Sequence, residues 1–341
     1  MYQVKPDFWK LLLFTTLYWL FIANFLVVIR FYGNPDLKVF NFGERFMQAN
    51  VSSFAMGLFF TIMETFVVNR IKRSSFLNLL LMKSFIYILF FVTLMFINYV
   101  YGNGFLFAIN LLATSETFVI ILFLSFATVL YHFTKQMSNR FGPQIFLKYI
   151  TGHYFKPKEE QRLFMFLDLR NSTQIAEELQ HVVYSEFIQE CFVLLSEPIK
   201  KYNAQVYQFV GDEVVLTWEE NKAYKNNNYI NFYKAYTKIL EEKSDYFMAK
   251  YGFCPTFKAG TDSGSVTAAE VGTIKTEIAY HGDVLNTASR IQGLCNTHQA
   301  YFLISEHVKN KSHLSPKSLT DLGFLTLRGK KKDVKVFAVE V

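Results

Sequence analysis

The pattern of apolar and polar positions divides the chain before any motif is considered. Residues 1–134 form an almost unbroken succession of apolar blocks, whereas 156–341 alternates as a water-soluble domain does. Four stretches are long enough to cross a bilayer core, which takes roughly 20 residues of helix. They run from about Leu11 to Ile29, Phe46 to Val68, Ser84 to Tyr101 and Phe105 to Phe133. A cleaved signal peptide is a poor reading of the first, because no small-residue cleavage site follows "FLVVIRFYG". The pattern therefore predicts a transmembrane helical domain over 1–134, a junction over 135–160 and a soluble domain over 161–341.

Within the soluble half, "RLFMFLDLRNSTQIAEEL" (162–179) reads as a buried strand ending at Asp168, followed by a helix whose start is marked by Asn171, Ser172 and Thr173. "YQFVGDEVVLTW" (207–218) reads as strand, turn, strand, with Gly211-Asp212 at the tip. "FKAGTDSG" predicts a strand that turns at Gly264 into a second strand, "SVTAAEVG"; "IAYHGDVLNTASRIQ" then opens a helix near Gly282-Asp283. On that helix Asn286 and Arg290 are four residues apart and share a face. In the junction, Gly142-Pro143 breaks the helix that leaves the apolar half. A short amphipathic segment around Ile145, Phe146, Tyr149 and Ile150 follows, either as a plain linker or as a signalling helix.

Charge gives the apolar half a direction. The tail carries Lys5 and Lys10, the loop after the second span Arg70, Lys72 and Arg73 with Lys83 at its end, and the exit from the fourth span Lys135, Arg140 and Lys148. The opposite side has Arg30, Lys38 and Arg45, and none in "YGNG". The excess of Lys and Arg marks the cytoplasmic side, so both termini are expected inside. The same bias accounts for the net charge of +7 without a nucleic-acid partner. Cys191, Cys254 and Cys295 form neither a disulfide framework nor a zinc pattern, which fits a reducing compartment. Glu64 and Glu116 fall within predicted spans. Carboxylates there mark sensing candidates, with a local hydrogen-bonded role as the plain alternative.

Candidate chemistry gathers in the soluble half. Asp168 and Asp212, each at a strand end, form a pair suited to hard divalent cations and phosphoryl chemistry. Asn286 and Arg290 would pair a ribose-orienting amide with a guanidinium for phosphate charge. The strings "FLDLRNST", "FVGDEVVLTW", "AGTDSGSV" and "GDVLNTASRIQ", in this order, make residues from about 162 to 341 resemble the catalytic domain of the class III nucleotidyl (adenylate/guanylate) cyclases. The resemblance implies an α+β chain, in which four transmembrane helices precede a ferredoxin-like βαββαβ cyclase domain, active as a head-to-tail homodimer with sites at the interface. It implies two Mg²⁺ or Mn²⁺ ions on Asp168, Asp212 and the backbone carbonyl of Leu169. Phosphate would be held by Asn171, Ser172, Thr173, Gly211 and Lys330, with Arg328 and Lys331 beside the last. Asn286 and Arg290 would be catalytic.

The positions that read the base in the family fall on Gln208 and Ala279, which match neither the usual adenine nor the usual guanine signature. Because the guanine pair of an acid and a cysteine is absent, and divergent bacterial-type members mostly make cyclic AMP, ATP is the expected substrate. A guanylate cyclase and a non-catalytic nucleotide-binding receptor are the alternatives. The expected setting is a multi-pass protein of a bacterial inner membrane, in contact with lipid, with its N-terminus and catalytic domain cytoplasmic.

Overall fold

The computed structural model describes residues 8–33, 42–67, 76–103, 105, 114–330 and 332–340. It separates into two compact units that divide between Phe141 and Gly142.

The first unit holds α1 (Phe8–Gly33), α2 (Phe42–Ile62), α3 (Phe76–Asn103) and α4 (Ser115–Phe141). The last turn of the α2 rod is π-helical, Met63–Val67. All four are long and apolar enough to cross a membrane. Their interior is built from Trp19, Phe60, Tyr87, Leu124 and Tyr131. Two sequence expectations shift. The third helix begins at Phe76, so Lys83 lies inside it and not at a loop end. The fourth begins at Ser115, so Glu116 sits in its first turn, half out of the bundle and paired with Arg30 at 2.8 Å. That pair places an anion at a helix N-terminus and a cation at a helix C-terminus, each where the helix dipole favours it. Residues 106–113, counted in the expected fourth span, lie outside the described residues.

The second unit opens with α5 (Pro143–Ile150), whose proline stands at the first helical position. The chain then builds β1 (Lys158–Leu169), α6 (Ser172–Leu194), β2 (Gln205–Val210), β3 (Glu213–Glu219), α7 (Asn228–Glu242), α8 (Ser244–Tyr251) and β4 (Phe257–Val271). After these come β5 (Glu277–His281), α9 (Asp283–Gly293), β6 (Phe302–Ser305), β7 (Leu319–Leu325) and β8 (Val334–Val339), with shorter helical turns between. The sheet order is β2-β3-β1-β4-β6-β8-β7, with β5 on β4, and only β4–β6 is parallel. The first four strands with α6 and α7 are the expected βαββαβ core, and the whole chain is α+β.

Alternation along β1 sends its side chains to two different interiors. Leu163, Met165 and Leu167 meet Phe187, Tyr233 and Tyr236 under the large helices. Phe164 faces Val215, Val266, Val284 and Ala288, the last two from α9. Gly264 is not a turn. β4 runs straight through it for 15 residues, because β1 pairs with it from Leu169↔Phe257 to Lys158↔Ala268. The reversal comes after Val271, where β5 folds back on β4. β1 also takes in Lys158–Glu160, which the charge pattern had left in the junction.

Candidate active site

The carboxylate side of the site is made by strand ends. Asp168 is the penultimate residue of β1, opposite Glu213 of β3 and Lys258 of β4. Asp212 follows Gly211 in the two-residue turn between β2 and β3, and Gly211 has φ 61, the left-handed conformation such a turn requires. Lys258 Nζ lies 3.1 Å from Asp168 Oδ2, and Gln292 Nε2 donates to the same oxygen at 2.9 Å. Burial first, and then the charge of Asp212, raise the Asp168 carboxyl above its ordinary value, while Lys258 opposes them. Burial followed by Asp168 and Asp212 pushes Glu213 up to about 7. On α6, Tyr184 is pushed up to about 12 by burial and then by Asp212 and Asp168. Three acids thus share one field with a single lysine among them.

Gln292 reaches Asp168 because α9 lies directly on β4. A Cβ on Gly260 would stand 2.2 Å from the backbone nitrogen of Gln292, so only glycine lets the helix come this close. Asn286 is exposed and Arg290 half-buried on the outer part of the same helix. The turn after β7 closes over them. Leu327 is buried beside Ile291, Lys330 N–H donates to the Leu327 carbonyl, and a Cβ on Gly329 would stand 3.4 Å from the Arg290 guanidinium. Lys330 Nζ pairs with Asp283 at 2.9 Å. Arg328 is exposed, and Lys331 lies outside the described residues. Arg290 and Lys330 are thus gathered beside α9, with the neutral amide of Asn286 one turn before Arg290. Among the described residues no ion pair joins Arg290 or Lys330 to Asp168 or Asp212.

Leu169 closes β1, and its side chain is buried. Asn171, in the left-handed region at φ 55, precedes α6 and makes no capping bond through its side chain; Ser172 and Thr173 are in the first turn. Their backbone N–H groups are therefore among those a helix leaves unpaired at its start. The helix is interrupted at Gln180 (φ 61, ψ 166), a break with no counterpart in the apolar pattern.

Of the base-reading positions, Gln208 is level with Phe166, two residues along β1 from Asp168, while Ala279 lies in β5 against the far part of β4. A bulge between Val206 and Gln208 brings Gln208 opposite Val215, so that it shares the α9 face, where it is exposed. Ala279 is opposite Ala269 in β5. Their neighbours Tyr207 and Tyr280 meet edge-on at 5.2 Å. The buried guanidinium of Arg162 lies 4.8 Å from the Tyr280 ring and is anchored by Glu160 at 2.6 Å and Gln205 at 3.1 Å. Glu160 accepts from Tyr154, and Tyr154 from Lys148 of α5, so the junction helix is hydrogen-bonded to β1.

Lys258, Gln292 and Glu213 were not among the sequence candidates. A lysine in an otherwise buried strand is a signal for the first. Gln292 carries none, since its role depends on how closely α9 lies on β4.

The hard oxygen donors of Asp168 and Asp212, crowded and only partly compensated by Lys258, fit a divalent cation. Among the described residues, however, no three His, Cys, Asp or Glu side chains converge as a ready-made metal cage.

Residues 156–340 match the family model for the adenylate and guanylate cyclase catalytic domain. The chain is 32% identical over 173 residues to adenylate cyclase 2 of Rhizobium meliloti (strain 1021), a match covering 51% of this chain and 48% of that protein. It is 24% identical over 185 residues to an adenylate cyclase of Anabaena cylindrica, covering 51% of this chain and 36% of the relative. It thus spans about half or less of the curated relatives it matches. A bacterial light-regulated adenylyl cyclase structure is similar in fold at a TM-score of 0.53 and 16% identity, over 63% of this chain and 64% of that one. Behind its four apolar helices, the chain belongs to the class III adenylate and guanylate cyclase catalytic-domain family.

Proposed function

We propose that the protein is a membrane-anchored adenylate cyclase that converts ATP to 3′,5′-cyclic AMP and pyrophosphate at the interface of a homodimer. One observation carries this reading. A single protomer holds both the carboxylate pair Asp168/Asp212 and the trio Asn286, Arg290 and Lys330, yet among the described residues no ion pair joins Arg290 or Lys330 to either aspartate. A head-to-tail second copy would set one group against the other twice, giving two complete sites. Phe209 and Val210, exposed on the hairpin that carries Asp212, supply apolar surface for such a contact.

Asp168, Asp212 and the Leu169 carbonyl would hold two Mg²⁺ or Mn²⁺ ions. When bound, these ions supply Lewis acidity toward the ribose 3′-OH and the triphosphate. The chain's own groups then do the following. Backbone N–H groups at Gly211 and at the start of α6 (Ser172, Thr173) bind phosphate oxygens, with Asn171 setting the turn that presents them. Asn286 orients the ribose so that the 3′ oxygen lies in line with the α-phosphorus. The 3′ oxygen forms the new bond to phosphorus, its proton passes to water, and the bond to the bridging oxygen breaks to release pyrophosphate. Arg290 stabilises charge that grows on the phosphoryl oxygens, an interaction strongest in the transition state. Lys330 leaves Asp283 for the more highly charged triphosphate. Gln208, able to donate and accept, meets the base edge, and Ala279 leaves room beside it.

The four helices would anchor the enzyme in a bacterial inner membrane with the catalytic unit cytoplasmic, and no nucleic acid takes part. Membranes containing the full chain, assayed with ATP and with GTP in Mn²⁺, test the reading. Cyclic AMP formation that is lost in Asp212→Ala supports it, and its retention in that variant overturns it. A higher kcat/KM for GTP would reassign the substrate.

A further inference from the structure

Glu64 lies in the π-helical turn Met63–Val67, at the end of the second membrane helix. Its carboxylate meets Lys83 Nζ of α3 at 3.0 Å, and on α4 Lys135 Nζ at 3.3 Å and His132 Nδ1 at 3.8 Å. π-helical turns inside α-helices are frequent at functional sites. The cluster is out of balance, because among the described residues two lysines face one carboxylate. A protonated His132 would only increase the positive excess. An uncompensated charge in an apolar bundle is costly, and such residues mark ligand or ion sites by default.

The hydrogen-bond inventory points the same way. The His132 ring is stacked between Phe60 and Tyr87, at 5.7 and 4.6 Å, and neither ring nitrogen has a hydrogen-bond partner among the described residues. The hydroxyls of Tyr87, Tyr131 and Ser84 are buried and equally unpartnered among the described residues. Lys135 Nζ lies 5.7 Å from the centre of the Tyr131 ring. The region thus has donors and positive charge to spare, and one acceptor group already shared three ways. Lys135 is its open edge, with 21% of the side chain exposed. Glu64 is two residues from the end of the span Phe42–Phe66, and Lys135 three from the end of Ser115–Ser138. At 1.5 Å of rise per residue Glu64 and Lys135 sit within about one turn of the membrane boundary, and Lys83, inside the span Phe76–Ile97, within about two. Basic pockets between helices at that depth are where anionic headgroups bind.

We propose that the space between α2, α3 and α4, bounded by Lys83, Lys135, Tyr87 and Tyr131, is a binding site for one phosphate-type oxyanion, presented by an anionic phospholipid or as the free ion. Lys135 takes it at the open edge, and the tyrosine hydroxyls donate to oxygens that Glu64 does not supply. This site stands on its own geometry, whatever the catalytic unit makes.

The experiment uses the full chain in an uncharged detergent, with ionic strength held constant by sodium chloride, and follows thermal unfolding through the fluorescence of the buried Trp19. One arm adds sodium phosphate and the other phosphatidylglycerol. The expected result is a saturable rise of a few degrees in at least one arm. A rise with phosphate identifies the free ion as ligand, and a rise with the lipid alone identifies the headgroup. Lys135→Gln and Lys83→Met should abolish the rise. Glu64→Gln should start from a lower melting temperature and show a larger rise, because it removes the competing carboxylate. No rise in either arm, a rise that survives Lys135→Gln, or a Glu64→Gln protein without the dependence would overturn the proposal. A purely structural ion-pair network predicts the last outcome. Should Lys83→Met fail to fold, the partly exposed Lys135 still decides.

Discussion

Two charge clusters, one in each unit of the chain, are near mirror images. Among the described residues, Asp168, Asp212 and Glu213 at the sheet end share a field with Lys258, whereas in the helical bundle Glu64 faces both Lys83 and Lys135. Folding normally pairs buried charges, since an unmatched one costs several kcal/mol. A cluster left out of balance is therefore one whose missing partner is a ligand of opposite sign. By that rule the first asks for cations and the second for an anion. The two differ in how their residues are assembled. The carboxylates sit on strand ends next to one another in a rigid sheet, while the bundle cluster draws one residue from each of two helices and two from a third.

The sharpest way to break the comparison is at the sheet end. Asp212→Ala should lower cyclic-nucleotide formation about 10³-fold or more while leaving the fold intact by circular dichroism. Arg290→Ala should cost about 10²–10³-fold in kcat. Mixing these two inactive variants should restore about a quarter of wild-type activity, because half of randomly paired dimers would hold one intact site. No recovery on mixing would remove the head-to-tail homodimer.

Replacing Gln208 by Lys or Glu should move the ATP-to-GTP ratio of kcat/KM about ten-fold in opposite directions, the value of one hydrogen bond to a charged group. Unchanged ratios would take Gln208 out of base reading.

Glu213 gives a pH test. Its folded pKa of about 7 is above the ordinary 4.5, so the folded state binds more protons than the unfolded one between these values. Stability of the metal-free protein, measured in chelator, should therefore be greatest below pH about 4.5 with respect to this group and fall as pH rises toward 7. Glu213→Gln should flatten that fall. The smallest effect belongs to the membrane unit. Glu116 is 62% exposed beside Arg30, and Glu116→Gln should change stability by less than about 0.5 kcal/mol. A large loss there would erase the contrast with Glu64.

What was legible in the sequence depended on how far apart the cooperating residues lie. Asp168, Asp212, Asn286 and Arg290 each fall inside a short string that contains its own strand end, turn or helix start, so local pattern was enough to single them out as candidates. The tie between Lys258, Gln292 and Asp168 spans β1, β4 and α9 and leaves no local trace. The expected turn at Gly264 failed for a related reason. A glycine in a strand is a turn signal by itself, but twelve residues of β1 pair along β4 and hold it straight.

The sequence by itself determined the division into an apolar and an alternating half and the α+β class, and it nominated the candidate site residues. Backbone periodicity and turn chemistry are local and survive in one dimension. Only the tertiary structure decided that Glu116 is an exposed ion pair while Glu64 is the centre of a buried cluster. Both are carboxylates in apolar stretches and look alike in the sequence. They differ in which helices pack around them, and the energy of a charge depends on its surroundings.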